Sequence, residues 1–452
     1  MSELPAEMQL LRACFRSCLP EESLRVDIAP LLAQLNWDHV LWLAHGQRAL
    51  LVLDDVLGRP RWARLCPPKI LPQLAAFREV NQMRALGRGG ETCRLQDLFD
   101  SHDVPAIPVD RWVFEQMSHG RPDLEDARGT LRYLVPARDR CRAEAMLLEA
   151  GHPCKNDPSK LITMGKHPVA LNEVLAEHPD AGRLWSQATA SEMGGRTLLQ
   201  LAPVHWLLHL VARRRGTSRP SLRGAWSLVA FVQRRSDWDW PAVMSEAERF
   251  GLAQSVCSDL AASHRELDVP LPGSLAGLLA PDARPISDRP RAKQPSTFPT
   301  SPFLPTPRIV VERTLELAGA GSGDLVYDLG CGDGRVIVAA AKRFGARGFG
   351  VDSDPVRISE AVRMAAEEGV SDRASFACGE LFDTNLADAT ILYLYLLPPL
   401  YPSMHQKILR EAKPGLRVVS HDYFFPGWPP DMTEILRTSL TTVSQIYVWR
   451  VR

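Results

Sequence analysis

The chain has 452 residues, enough for about three domains or subdomains of ordinary size. Hydrophobic residues make up 45% and charged residues 23%, and 53 Lys+Arg balance 53 Asp+Glu, which argues against a strongly basic nucleic-acid binder. The start, "MSELPAEMQ", is acidic and lacks a long apolar core, so no secretory signal is expected. The most apolar run, Leu198 to Ala212, holds a proline and two histidines and falls short of the roughly 20 residues that span a bilayer. Nine scattered cysteines form no paired ligand spacing, although Cys14 and Cys18 share a helix face, so a reduced, cytoplasmic protein is expected.

The N-terminal region is patterned mostly as helix. "NWDHVLWLAHGQRA" and "DWPAVMSEAERFGLA" each open with a capping residue followed by Trp, which predicts two amphipathic helices with a buried Trp rather than a true repeat. Between them "VPAIPV" and "TLRYLV" predict a short α/β stretch. His205 and His209 in "HWLLH" share a helix face, but there is no Glu between them and no evident third ligand, so no metal is expected. Arg213, Arg214, Arg215, Arg219 and Arg223 cluster around a turn. They read as a solvated helix end favoured by the dipole, with contact to RNA or an acidic peptide as the alternative. Prolines then recur every few residues from Asp268 to Pro307. The part from Pro281 to Ser301 lacks apolar periodicity, cannot bury a core and reads as an extended linker. The expected division is 1–275, a linker at 276–302, and a domain at 303–452.

After the linker, Thr306 and Pro307 suit a helix start, Thr as N-cap and Pro in the first turn. "DLVYDLG" and "ARGFGVD" then read as buried strands, followed by "GRVIVAAAKRFG" and "PVRISEAVRMAAEEGV" with helical apolar spacing. "ASFACG", "ATILYLYL" and "LRVVSHD" add strands, and "TTVSQIYVWRV" closes a β-rich end. Alternation of this kind predicts an α/β fold with a mainly parallel, doubly wound, Rossmann-like sheet.

The loop after the first strand is Gly330-Cys331-Gly332-Asp333-Gly334-Arg335. A dinucleotide fingerprint wants Gly or Ala where Arg335 stands, and no Walker-type Gly-Lys-Ser/Thr follows. Asp328, just before the loop, repels a pyrophosphate and suits the ammonium group of S-adenosylmethionine. The glycines allow close backbone approach, and the helix N-terminus offers N–H groups to a carboxylate. Asp352 at the tip of the second strand suits the two ribose hydroxyls. Glu380 and the backbone at Leu381, after the third strand, suit the adenine amine.

From Phe303 to about Asp431 the chain resembles the class I S-adenosylmethionine-dependent methyltransferases. It is similar to a branch related to the lysine methyltransferase of the mitochondrial ATP synthase c-subunit. The matching stretches are "FLPTPRIVVERTLELA", "LVYDLGCGDGRVIVAAAKRFGARGFGVDSDP", "LYLLP" and "RVVSHDYFFPGWPPD". The resemblance implies that Thr306, Pro307, Asp328, Gly330, Gly332, Gly334, Asp352 and Glu380 line the cofactor site. It also implies an acceptor site at Tyr395 to Pro398.

Many amine methyltransferases carry Asn/Asp-Pro-Pro-aromatic after the fourth strand, whereas Leu397 holds the polar position here. Tyr395 either orients the acceptor nitrogen through its hydroxyl or is a strand tyrosine with a buried ring. His421 and Asp422 are either acid/base groups or hold the loop. Tyr423, Phe424, Phe425 and Trp428 are expected to form an apolar rim for the acceptor.

"LFDSHDVPAIPVDRWVF" and "ARGTLRYLVPARDRCRAEAMLLEAGH" resemble a poorly characterised bacterial nucleotidyltransferase family, across about residues 8–272. The resemblance places that family's Asp-Leu-Asp at Thr130-Leu131-Arg132 and an expected lysine near Asp110. Nucleotidyl transfer needs carboxylates to hold Mg²⁺, and an Arg repels it. Asp123, Glu125, Asp126, Asp237 and Asp239 do not fall at the right place in the strand pattern. A degenerate domain that binds a substrate or partner is therefore expected.

The sequence thus predicts a methyltransferase acting on a protein or peptide amine recruited by the N-terminal domain. A small natural product, a peptide oxygen or RNA is the alternative acceptor. Neither nucleic acid nor a membrane is the expected partner, and the oligomeric state is left open.

Overall fold

The computed structural model describes residues 4–452 apart from 21–25, 34, 118–120, 128, 153–168, 173–174, 176–177, 215–220, 271–274, 276–304 and 440–441. The linker expected at 276–302 lies outside the described residues, as do Arg215 and Arg219. Two compact units divide the chain. The first takes Met1–Gln34, Ala44–Pro67 and Asn81–Arg291; the second takes Leu35–Leu43, Pro68–Val80 and Ala292–Arg452.

The first unit is largely helical. Its small sheet sets Leu131–Leu134 antiparallel to Ile107–Pro108 and parallel to Val169–Asn172. A hairpin, Thr189–Met193 with Arg196–Gln200, turns through Gly194 and Gly195, both at positive φ, which glycine adopts without a Cβ penalty. The helix Pro203–Ala212 is apolar nearly all round and is accordingly buried from His205 onward, packing with Phe114, Phe231 and Trp240. Arg223 departs from the expected solvated helix end. It is 1% exposed, pairs with Glu125 at 2.5 Å and lies over the Trp226 ring, partners that offset its desolvation. Arg214 likewise pairs with Asp259.

In the second unit the described C-terminal elements are α1 (Arg308–Leu317), β1 (Leu325–Leu329), α2 (Arg335–Phe344), β2 (Arg347–Asp352), α3 (Pro355–Glu367), β3 (Ala374–Cys378), β4 (Ile391–Leu394), α4 (Tyr401–Glu411), β5 (Arg417–His421), β6 (Met432–Arg437) and β7 (Val443–Arg450). They build one sheet in the order β6-β7-β5-β4-β1-β2-β3. β1 to β5 are mutually parallel, and β7 runs antiparallel to both β5 and β6. Successive strands thus place their carboxyl ends along one edge, and the order reverses between β1 and β4. That is where such sheets open a ligand crevice. The expected doubly wound α/β fold is the one observed.

Two details differ from the sequence reading. Pro307, not Thr306, is the N-cap of α1, with φ −57° and ψ 140° and no side-chain cap. Thr306 is instead buried, and its carbonyl accepts a hydrogen bond from Arg335 Nη1 at 2.9 Å. β6 is an additional strand, with Thr433 and Ile435 inward and Glu434 between them, a weak signal for an edge strand. The amides of Thr433 and Ile435 are not left open. They donate to Asp38 Oδ1 at 3.0 Å and Gln73 Oε1 at 2.9 Å, both from the two earlier segments of this unit.

Candidate active site

The loop between β1 and α2 gathers most of the expected cofactor residues. Gly330, Gly332 and Gly334 have φ of +88°, +52° and +79°. At Gly334 a Cβ would stand 2.7 Å from Ala361 Cβ and 2.8 Å from the Phe376 ring, so conformation and space both require glycine. The amides of Gly330 and Cys331 donate to the Val351 carbonyl at 2.8 and 2.9 Å, fastening the loop to β2.

Asp352 ends β2. Its Oδ2 accepts from the Gly332 amide at 2.9 Å and its Oδ1 from the Asp354 amide at 3.0 Å. These two bonds leave further lone pairs for hydroxyl donors. Asp328 lies 4% exposed at the end of β1. Burial, then the charges of Asp352 and Asp333, push its carboxyl up to about 8. Asp328 and Asp352 beside a small-residue loop make a site that favours a cation with hydroxyl donors and disfavours a pyrophosphate.

Arg335, which marks the departure from a dinucleotide fingerprint, has a defined job. Its Nε donates to Asp333 Oδ1 at 2.9 Å while Nη1 reaches the Thr306 carbonyl. Burial alone would raise Asp333, but the Arg335 hydrogen bonds and charge hold it below the usual carboxylate range. Residue identity alone did not reveal this lock between Thr306 and the loop. The Asp-Gly-Arg spacing was its only signal. Glu380 is exposed after β3, where the Gly379 amide donates to the Asp352 carbonyl at 3.0 Å, and Leu381 is partly buried beside Phe382.

The acceptor candidates meet at the carboxyl ends of β4 and β5. The Tyr395 ring lies 4.4 Å from that of His421 and stacks on Tyr423 at 5.9 Å and 18°. Burial raises the Tyr395 hydroxyl, so it stays protonated and is no base near neutrality. His421 is 3% exposed, with Nε2 at 2.9 Å from Ser444 Oγ and Nδ1 unpartnered among the described residues. Burial lowers its pKa despite the opposing charge of Asp422, so the ring is neutral. Asp422 sits at φ +60°, a conformation an Asp tolerates. Its amide donates to the Gln445 carbonyl at 2.7 Å and its Oδ1 accepts from the Gln445 amide at 2.8 Å. Of the expected rim, Tyr423, Phe424 and Trp428 are partly buried. Phe425 is fully buried, packed by Tyr401 and Trp449, and belongs to the core.

In the first unit, Leu131 and Arg132 lie on the central strand beside Asp110, and Thr130 just precedes it. Asp110 is buried and accepts from Arg88, whose Nη2 is 3.2 Å away. Arg88 also donates to the carbonyls of Ala127, Gly129 and Thr130. The other acids are engaged elsewhere: Glu125 with Arg223, Asp123 with Arg121, Asp237 with Arg235, and Asp239 as a helix cap. His205 Nε2 lies 3.0 Å from Glu246, and burial lowers His209 to about 3. No group of three or more His, Cys, Asp or Glu side chains is placed to hold a metal among the described residues. An open cavity of about 480 Å³ is lined by Arg183, Trp238, Glu246 and Arg249.

A seven-stranded sheet of this order, with a glycine loop and acidic ends on β1 and β2, defines a class I methyltransferase whose cofactor is S-adenosylmethionine. The residues fit that group. Asp328 is a buried carboxyl raised by desolvation and by neighbouring carboxylates, the loop at Gly334 admits no side chain, and Asp352 offers acceptors. The family model of the ANTKMT methyltransferase domain matches residues 328–432, and that of an uncharacterised nucleotidyltransferase matches 33–267, just over half the chain. The chain belongs to both families, one in each half.

Among known proteins, a "Protein-lysine N-methyltransferase" of Saccharolobus islandicus (strain REY15A) is 43% identical over 136 residues, 30% of this chain and 84% of that protein. The lysine N-methyltransferase of the ATP synthase c-subunit from Rattus norvegicus is 32% identical over 132 residues, 29% of this chain and 60% of that protein. Among solved structures, an RNA methyltransferase from Salinibacter ruber in complex with S-adenosyl-L-homocysteine is 40% identical, covering 33% of this chain and 94% of that one, with a TM-score of 0.31. No helix among the described residues is long and apolar enough to cross a membrane.

Proposed function

We propose that the chain methylates the side-chain amine of lysine in a protein or peptide, which the first unit recruits. The observation that carries this reading is the 43% identity to the archaeal protein-lysine N-methyltransferase across most of that protein's length. The aromatic group formed by Tyr395, His421 and Tyr423 supports it, since stacked rings suit the aliphatic stem of lysine.

When bound, S-adenosylmethionine supplies an electrophilic methyl group on sulfur, which a neutral amine takes in line as the C–S bond breaks. Asp328 would hold the cofactor's ammonium, Asp352 its ribose hydroxyls, and Glu380 with the Leu381 backbone its adenine edge. Thr306 and Pro307 close the near wall, and the Arg335–Asp333 pair ties that wall to the loop. A lysine starts near pKa 10.4, so its proton must leave before attack. The apolar rings around the entry disfavour the charged form and shift the amine toward neutrality. Tyr395 keeps its own proton, and its hydroxyl oxygen accepts an N–H of the amine, which orients the nitrogen and leaves its lone pair free. His421, neutral and turned to Ser444, fixes the ring opposite Tyr395, and Asp422 fixes the backbone between β5 and β7. The acceptor's proton passes to solvent, and the positioning of these groups supplies the rate.

For the first unit, Arg132, half-buried where a metal-binding carboxylate would be needed, supports binding rather than nucleotidyl transfer. Its open cavity gives a recruited chain a surface with both arginines and an indole.

The test is mass spectrometry of lysine-containing proteins and peptides incubated with the full chain and S-adenosylmethionine. Mass steps of one methyl group on lysine are expected. Transfer to RNA or to a small molecule with none on lysine would refute this reading.

A further inference from the structure

We propose that Trp42, a residue of the nucleotidyltransferase-family sequence, is a positioning residue for the acceptor side of the methyltransferase site. The inference rests on the lysine reading above and concerns the same site. Residues 35–43 belong to the second unit, yet they lie within the stretch matched by the nucleotidyltransferase model and outside 328–432.

The geometry is a clamp on the segment after β5. Phe424 is held between two rings: Trp42 at 5.7 Å and 77°, and Tyr447 on β7 at 5.8 Å and 69°. Tyr423, the preceding residue, stacks on Tyr395, and Asp422 before it is pinned to Gln445 through two hydrogen bonds. Asp422 fixes the start of the segment and the Trp42–Phe424–Tyr447 contact fixes its next turn. Tyr423 between them has little freedom to leave Tyr395. Edge-to-face rings at these separations contribute beyond their buried area, so loss of one ring loosens the segment measurably.

Trp42 itself is held firmly enough to do this. It is 7% exposed and packs with the core that contains Leu392, Phe425 and Tyr447. The helix that carries it is fastened to β6 at its first turn. Asp38 Oδ1 accepts from the Thr433 amide, and the Asp38 carbonyl accepts from Thr433 Oγ1, both at 3.0 Å. The indole N–H has no partner among the described residues, so the ring, not a hydrogen bond, does the work. Phenylalanine should therefore replace Trp42 at little cost, whereas alanine should not.

The test compares wild type, Trp42→Phe and Trp42→Ala as full chains. Hydrogen exchange should be at least about tenfold faster at residues 422–428 in the alanine variant, with wild-type rates in the phenylalanine variant. Calorimetry with S-adenosyl-L-homocysteine should give the same affinity for all three. With poly-L-lysine as probe, KM should rise about tenfold in the alanine variant while kcat changes less than about threefold, and phenylalanine should restore it. Unchanged exchange at 422–428, or faster exchange with unchanged KM, overturns the proposal. An equal loss of homocysteine affinity also overturns it, because Trp42 would then be general scaffolding. Wild type inert toward poly-L-lysine and toward lysine proteins would count against the lysine reading instead. The exchange rates alone would then decide whether Trp42 braces the segment.

Discussion

The Asp352 carboxylate accepts a hydrogen bond from the Gly332 amide at 2.9 Å, joining the tip of β2 to the middle of the glycine loop. One carboxylate thereby sets the loop's shape with one oxygen and the following turn, through Asp354, with the other. Replacing Asp352 by alanine removes both bonds and the acceptors offered to ribose. Hydrogen bonds to charged groups contribute about 1.5–3 kcal/mol each. Titration calorimetry should show cofactor affinity at least about tenfold to a hundredfold weaker in Asp352→Ala. Wild-type affinity in that variant would remove Asp352 from the binding site.

Asp328 gives the site a proton linkage. Its carboxyl is pushed up to about 8 by burial, Asp352 and Asp333, so near pH 7 the free protein carries a proton there. An ammonium placed against it favours the ionised form and expels that proton. Calorimetry in buffers of differing ionisation enthalpy should report up to about one proton released per cofactor bound near pH 7, fading above about pH 9. The same shift makes Asp328 a destabilising residue in the free protein. A carboxyl raised in the folded state stabilises fully below about pH 4, its unfolded value, and that contribution is lost as the pH rises through about 8. Asp328→Asn should therefore be more stable than wild type by a margin that grows from pH 5 to pH 9 and reaches at least about 1 kcal/mol at the upper end, seen as a higher melting temperature. It should also bind the cofactor poorly. Equal melting at every pH would show that Asp328 ionises normally.

Gly334 tests the loop's sterics. Alanine there needs a left-handed backbone and a Cβ within 2.8 Å of Ala361 and Phe376. Neither neighbour is a flexible chain end, so relief requires a shift of the loop against α3 and β3. Overpacking of this kind costs about 1–3 kcal/mol, to which the strain at positive φ adds. Chemical denaturation should find Gly334→Ala less stable by about 2 kcal/mol or more, with cofactor affinity reduced in parallel. A neutral outcome would mean the loop is freer than its contacts indicate.

The C-terminal sheet was legible because each strand ends in chemistry. "VYDLG" and "GVD" couple an apolar run to an acid and a glycine, and the intervening helices keep their apolar spacing up to Gly345. β6 was not legible, since six residues with two inward side chains resemble a loop, and its edge is satisfied by Asp38 and Gln73 from far away in sequence. The same distance hid Trp42, because no local pattern tells a helix which unit it will join. Phe425 was misplaced on the rim because an aromatic run has no internal signal for which ring turns inward. Arg335 was read as a missing glycine, whereas its partners Asp333 and the Thr306 carbonyl make it a fastening of the site.

Arg88 engages Asp110, the carboxylate beside the central strand of the first unit. The Arg88–Asp110 pair is buried on both sides, and the guanidinium also serves three backbone carbonyls. Removing one partner of a buried pair leaves the other uncompensated, at a cost of about 3–5 kcal/mol. Arg88→Leu should therefore lower the stability of the first unit by about that amount, while Arg88→Leu with Asp110→Leu should recover much of it. If the pair is structural, neither variant gains affinity for Mg-ATP, since Thr130 and Arg132 still supply no metal ligand. Should the wild-type chain bind Mg-ATP and transfer its nucleotide, and Arg88→Leu abolish that without loss of stability, the residue would be catalytic and the first unit an enzyme in its own right. Thermal melts of the two variants with and without Mg-ATP separate these outcomes, because ligand binding to the folded state raises the melting temperature.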